Sequence, residues 1–86
     1  MVTLELRYFA SVREALGLEQ ERIELADGDW NIAALQTHLA ARGGAWTETF
    51  AGQVKLLCAV DQSMARPTTA LASGMEVAFF PPVTGG

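Results

Sequence analysis

Residues Val2 to Phe9 alternate: Val2, Leu4, Leu6 and Tyr8 share one parity, and Thr3, Glu5, Arg7 and Phe9 the other. A period of two predicts a strand with one face buried. Ala10 to Leu16 is suited to a short helical turn, which Gly17 stops by entering a left-handed cap at no steric cost. Alternation returns from Gln20 to Leu25, with Ile23 and Leu25 facing inward, and Ala26-Asp27-Gly28-Asp29 closes that strand as a turn. The period then lengthens. Ile32, Leu35 and Leu39 fall on one helical stripe, with Asn31 as N-cap and Trp30 placed to staple against Leu35. Arg42 in the last turn and Gly43 beyond it mark the helix end. Ala45 to Phe50 predicts a further short helical segment carrying Trp46.

Val54 to Val60 is nearly all apolar and reads as a largely buried strand, followed by a turn at Asp61-Gln62-Ser63. Met64 and Ala65 would return as a very short strand, and Met64 and Met75 are expected to fill the core. After a turn at Ser73-Gly74, Met75 to Phe80 predicts a last strand with Met75, Val77 and Phe79 inward. The order is strand, strand, helix, strand, strand, strand. In a chain of 86 residues that order is met by a mixed sheet with one main helix across one face. The first and last strands can lie parallel at its centre, because the long intervening chain supplies the crossover. The predicted class is therefore α+β, in the β-grasp (ubiquitin-like) arrangement, with a domain over residues 1–80 and an extended tail over residues 81–86.

Composition narrows the function classes. No apolar run reaches the ~18 residues of a membrane span, and the first residues lack the basic-then-apolar order of a signal peptide. One cysteine, Cys58, excludes an intrachain disulfide and suits a reducing compartment, so a cytoplasmic protein is expected. With a single histidine and a single cysteine, the usual four-ligand metal site is not expected. Net charge is −4 and the six basic residues are scattered, which argues against nucleic acid.

The segment after the last strand is chemically distinctive. From Val77 to Gly86 no side chain is charged, although charged residues make up 19% of the chain. Terminal segments are ordinarily polar and frayed. Here Pro81 and Pro82 stiffen an apolar stretch, Val83 and Thr84 follow, and Gly85 and Gly86 carry no side chains. Extended at roughly 3.3 Å per residue, such a tail spans about 20 Å. It is suited to insertion through a narrow channel into another protein's active site, presenting the carboxylate of Gly86. That carboxylate is a poor electrophile. Activation with ATP to an acyl-adenylate would supply a leaving group, and a sulfur nucleophile displacing AMP would leave a thiocarboxylate. The chain itself offers no apparatus for these steps, so partners are expected to catalyse them. No bound cofactor is expected.

Phe79-Phe80-Pro81-Pro82-Val83-Thr84-Gly85-Gly86, with Tyr8-Phe9-Ala10-Ser11-Val12-Arg13-Glu14 and Gly74-Met75-Glu76-Val77-Ala78, resembles the MoaD family, the sulfur-carrier small subunits of molybdopterin synthase. The resemblance spans essentially the whole chain. It implies that Gly86 is adenylated by an E1-like enzyme and converted to a thiocarboxylate with sulfur from a donor system. The tail then enters the large catalytic subunit, where the catalytic residues lie, with Val83, Thr84 and Gly85 threading the channel. Sulfur passes to cyclic pyranopterin monophosphate to build the molybdopterin dithiolene. Physical reasoning alone leaves the acceptor open: thiazole, cysteine or tRNA thiolation would use the same chemistry. A ubiquitin-type modifier or a plain interaction module are readings of a different class.

The alternation gives an independent expectation. Phe9 and Phe80 fall on the outward parity, and a parallel first and last strand would set them together at the root of the tail as a partner anchor. Cys58 is expected as a small buried hydrophobe, His38 as solvated, and Glu19, Glu21 and Glu24 as the wet side of a strand. For Arg13 and Lys55, pairing with acidic groups of a partner stands beside a plain surface role.

Overall fold

The computed structural model describes residues 1–52 and 55–82. Its elements are β1 (Val2–Tyr8), α1 (Ala10–Leu16), β2 (Gln20–Leu25), β3 (Trp30–Asn31), α2 (Ile32–Ala40), α3 (Ala45–Ala51), β4 (Leu57–Val60), β5 (Ser63–Met64), β6 (Ala70–Leu71) and β7 (Glu76–Phe80). Five strands form one mixed sheet in the order β2-β1-β7-β4-β5, and β3 and β6 form a separate two-stranded pair. At the centre β1 and β7 run parallel, with Glu5 opposite Glu76 and Tyr8 opposite Phe79. This is the β-grasp arrangement expected from the element order.

The core follows the alternation. Leu4, Leu6 and Tyr8 of β1, Ile23 and Leu25 of β2, and Val77 and Phe79 of β7 are all buried, as is the Ile32, Leu35, Leu39 stripe of α2. The caps are those expected as well. The Asn31 side chain accepts the Ala34 N–H at 2.8 Å, and Gly17 ends α1 in the left-handed region at φ 68°. The β4–β5 hairpin turns on Asp61 and Gln62, both at positive φ (47° and 70°), which matches the right-handed twist of its strands.

Several details depart from the sequence reading. β1 stops at Tyr8, and Phe9 becomes the N-cap of α1, its carbonyl accepting the Val12 and Arg13 N–H groups. Of the strand expected over Val54 to Val60, Val54 lies outside the described residues and Lys55 and Leu56 precede the strand. It runs over Leu57–Val60 and alternates between half-buried and buried, because no helix covers the outer side of the sheet there. Met64 is not a core residue: it pairs with Ala59 on the outer face and is 65% exposed. Trp30 belongs to β3, its indole N–H donating to the Ala26 carbonyl at 2.8 Å and its ring meeting His38 edge-on at 5.7 Å. Glu21 is not on the wet side of β2. Its carboxylate accepts the Tyr8 hydroxyl at 2.8 Å and both Arg42 guanidinium nitrogens at 2.8 and 3.1 Å. Arg42, just past α2 rather than in its last turn, also lies 4.3 Å over the Trp46 ring. This network joins β1, β2, α2 and α3 around Tyr8, whose ring also stacks on Phe79 at 6.2 Å.

Candidate docking face at the root of the tail

The parallel register decides what lies beside the end of β7. Tyr8 is opposite Phe79, and the Phe9 N–H donates to the Phe79 carbonyl at 3.1 Å, so Phe9 sits at the same end of the sheet as Phe80. Phe9 is 45% exposed and Phe80 is half-buried. Pro81 is half-buried and Pro82 exposed; Val83, Thr84, Gly85 and Gly86 lie outside the described residues.

The outer face of the sheet is divided by chemistry. On the β1 and β2 half it carries charge, with Arg22 paired to Glu5 at 2.6 Å and Arg7 paired to Glu76 of β7 at 3.2 Å. Such exposed pairs contribute at most about 1 kcal/mol each, and they keep that half solvated. On the β7, β4 and β5 half it is apolar. The ladders set Leu57 opposite Phe80, Ala59 opposite Ala78, and Met64 opposite Ala59, all on the side away from the helices. Phe80, Leu57, Ala78, Ala59 and Met64 thus form one uncovered apolar patch leading away from the tail root. Sequence reasoning found Phe80 but missed the rest of this patch. The available signal was that β4 and β7 carry apolar residues on both parities, which a sheet with one covered face does not require.

The remaining candidate groups are quiet. Cys58 is buried among core residues, and burial pushes its thiol up from the usual range, so it is mostly protonated near neutrality. Its Sγ lies 3.7 Å from the Ala65 carbonyl. His38 is exposed on α2. Among the described residues no group of three or more His, Cys, Asp and Glu is placed to hold a metal ion, and no helix is long and apolar enough to cross a membrane.

A mixed sheet with a parallel central pair, a helix across one face and an apolar patch at the root of an uncharged tail defines a ubiquitin-like protein. The ThiS family model matches residues 6–86, and the chain belongs to that family. Over 83 residues it is 39% identical to the molybdopterin synthase sulfur carrier subunit of Haemophilus influenzae and 40% identical to that of Escherichia coli. In each case 96% of this chain and 99% of the relative are covered. Among solved structures it is similar to the small archaeal modifier protein 1 of Haloferax volcanii, with a TM-score of 0.79 and 25% identity over 96% of this chain and all of that one. It also shares the fold of a chain in the complex of subunits 1 and 2 of the molybdopterin-converting factor from Helicobacter pylori (TM-score 0.66, 21% identity, 99% of this chain and 100% of that one covered).

Proposed function

We propose that this protein is the sulfur-carrier subunit of a molybdopterin synthase, working in the cytoplasm through the carboxylate of Gly86. The observation that carries the reading is the 39–40% identity to two such subunits across nearly the whole chain. In this reading an oxygen of the Gly86 carboxylate attacks the α-phosphate of ATP on an E1-like enzyme, and pyrophosphate leaves. Sulfide-level sulfur from a donor system (HS⁻, or a persulfide whose S–S bond a second thiol then reduces) forms a C–S bond as AMP departs. The resulting thiocarboxylate is carried into the large subunit by Pro81, Pro82, Val83, Thr84 and Gly85. There it supplies sulfur to cyclic pyranopterin monophosphate for the dithiolene.

The chain's own contribution is presentation. Phe80 anchors the tail root by pairing with Leu57, and the apolar patch running to Met64 gives the partner a surface to seat on while the tail is inserted. The burial of Cys58, the chain's one cysteine, fits this division of labour, in which the reactive sulfur comes from a donor system.

Intact-protein mass spectrometry tests this directly. The chain is incubated with an activating enzyme, ATP and a sulfur source, alongside a variant lacking Gly86. The expected gain equals the replacement of one oxygen by one sulfur, and it is absent from the deletion. No gain with an enzyme that loads its own carrier would overturn the proposal. The likeness to a small archaeal modifier protein favours a second reading, in which the same glycine ends in isopeptide bonds to target lysines. Covalent adducts of the chain in extracts, lost with the Gly86 deletion, would favour that reading.

A further inference from the structure

On the helical side of the sheet a concavity of about 440 Å³ runs along β4 between α2, α3 and the segment after β5. Ile32, Phe50, Leu56 and Pro67 form apolar walls, Lys55 and Arg66 line it as well, and among the described residues no carboxylate does. Its chemistry is unusual for this molecule. The chain has ten acidic and six basic side chains, and Arg7, Arg22 and Arg42 are each held by a glutamate. Arg13, Lys55 and Arg66 make no ion pair among the described residues, and two of these three line the one groove.

The groove is also built rather than incidental. The segment carrying Arg66 is pinned from three sides: Ala65 N–H to the Cys58 carbonyl at 3.0 Å, Arg66 N–H to the Thr69 hydroxyl at 2.8 Å, and Ala33 N–H to the Pro67 carbonyl at 2.9 Å. Phe50 meets Phe79 edge-on at 5.0 Å, which fixes the wall to the strand that leads into the tail. Leu57 lines the groove and is the ladder partner of Phe80, so the groove adjoins the outer apolar patch around the end of β4.

We propose that this groove receives an acidic segment of the large subunit, an apolar side chain flanked by carboxylates, as a second contact beside the tail. The inference rests on the function proposed above. Charge complementarity selects the occupant: two unneutralised cations over apolar walls attract a carboxylate-bearing peptide and reject a basic one. Continuity with the patch around Phe80 places that segment on the same protein that takes the tail.

The test is calorimetric titration of purified large subunit into the wild-type chain, Lys55→Glu, Arg66→Glu, the pair Lys55→Arg with Arg66→Lys, and Arg13→Glu, each at low and high salt. Lys55 and Arg66 are exposed, so thermal melts should confirm folded variants. Loss and reversal of one rim charge is expected to weaken binding roughly ten-fold and to flatten its salt dependence. The conservative pair should bind within about three-fold of wild type. Arg13→Glu makes the same change of net charge outside the groove and should have the smaller effect. Wild-type affinity and salt dependence in both Lys55→Glu and Arg66→Glu would overturn the groove proposal alone. So would an Arg13→Glu loss as large as theirs. A wild-type chain that does not bind the large subunit would overturn this inference and the functional reading together.

Discussion

Tyr8 is the chain's only tyrosine, so its ionisation can be followed alone. Its side chain is fully buried, stacked on Phe79, and its hydroxyl donates at 2.8 Å to a glutamate that Arg42 also holds. Burial first, and then the hydrogen bond to Glu21, raise its pKa far above the ordinary value of 10.0. The sign of the effect on stability follows from proton counting. Above pH ~10 the unfolded chain releases the phenolic proton while the folded chain keeps it, so unfolding is favoured as pH rises. The contribution is fully present below pH ~10 and is lost above it. For one proton the loss between pH 9 and pH 11 is about 1.4 kcal/mol, a large fraction of the stability of a small domain. Tyr8→Phe forfeits a hydrogen bond to a charged group and is expected to be about 1.5–2 kcal/mol less stable at pH 8. It lacks the phenolic proton, however, so its stability should decline less on the way to pH 11. Urea unfolding followed by tryptophan fluorescence at pH 8, 9, 10 and 11 measures both curves, and they should converge at the alkaline end. Phenolate absorbance in the native protein near pH 10, or curves that stay parallel to pH 11, would refute the reasoning.

Other consequences are quickly checked. Met64 is 65% exposed, so Met64→Asp should shift the melting temperature by less than about 4 °C while weakening large-subunit binding ten-fold or more. Phe80→Ala should weaken binding too, but its half-buried ring implies a stability loss of about 1–2 kcal/mol. Normal binding in both would remove the patch from the interface. Cys58 is 5% exposed with its thiol pushed up by burial. It should react with a disulfide reagent at pH 7.5 only as fast as the domain opens, and at once in denaturant. Rapid native reaction would contradict the assigned packing.

What could be read from sequence was whatever repeated. β1, β2, β7 and α2 each hold enough apolar residues in period for the alternation or stripe to be unambiguous, and Asn31 and Gly17 are caps with a local mechanism. β3 and β6 are two residues each, too short to carry a period, and exist only because they find each other across the chain. Met64 was misplaced because its direction is set by its pairing with Ala59 across a tight turn, not by any pattern of its own. Glu21 shares the inward parity of Ile23 and Leu25, so its position was visible. Its charge argued the other way, and the residues that reconcile the two, Tyr8 and Arg42, are distant in the chain. That Phe9 and Phe80 lie at the same end of the sheet was legible because a parallel centre fixes their relative height, although Phe9 leaves the strand to cap α1. The apolar patch beyond them was not, since it is assembled from three strands.

The parallel pairing of β1 with β7 also bears on how the molecule is made. A ribosome releases β1 and β2 well before β7, and until Phe79 is out β1 has only β2 beside it in the sheet. Until then Leu4, Leu6 and Tyr8 lack the neighbouring Val77 and Phe79, and a chain broken off earlier presents an open sheet edge to proteases. Closure of the central pair therefore waits on β7, the last strand of the sheet to be made.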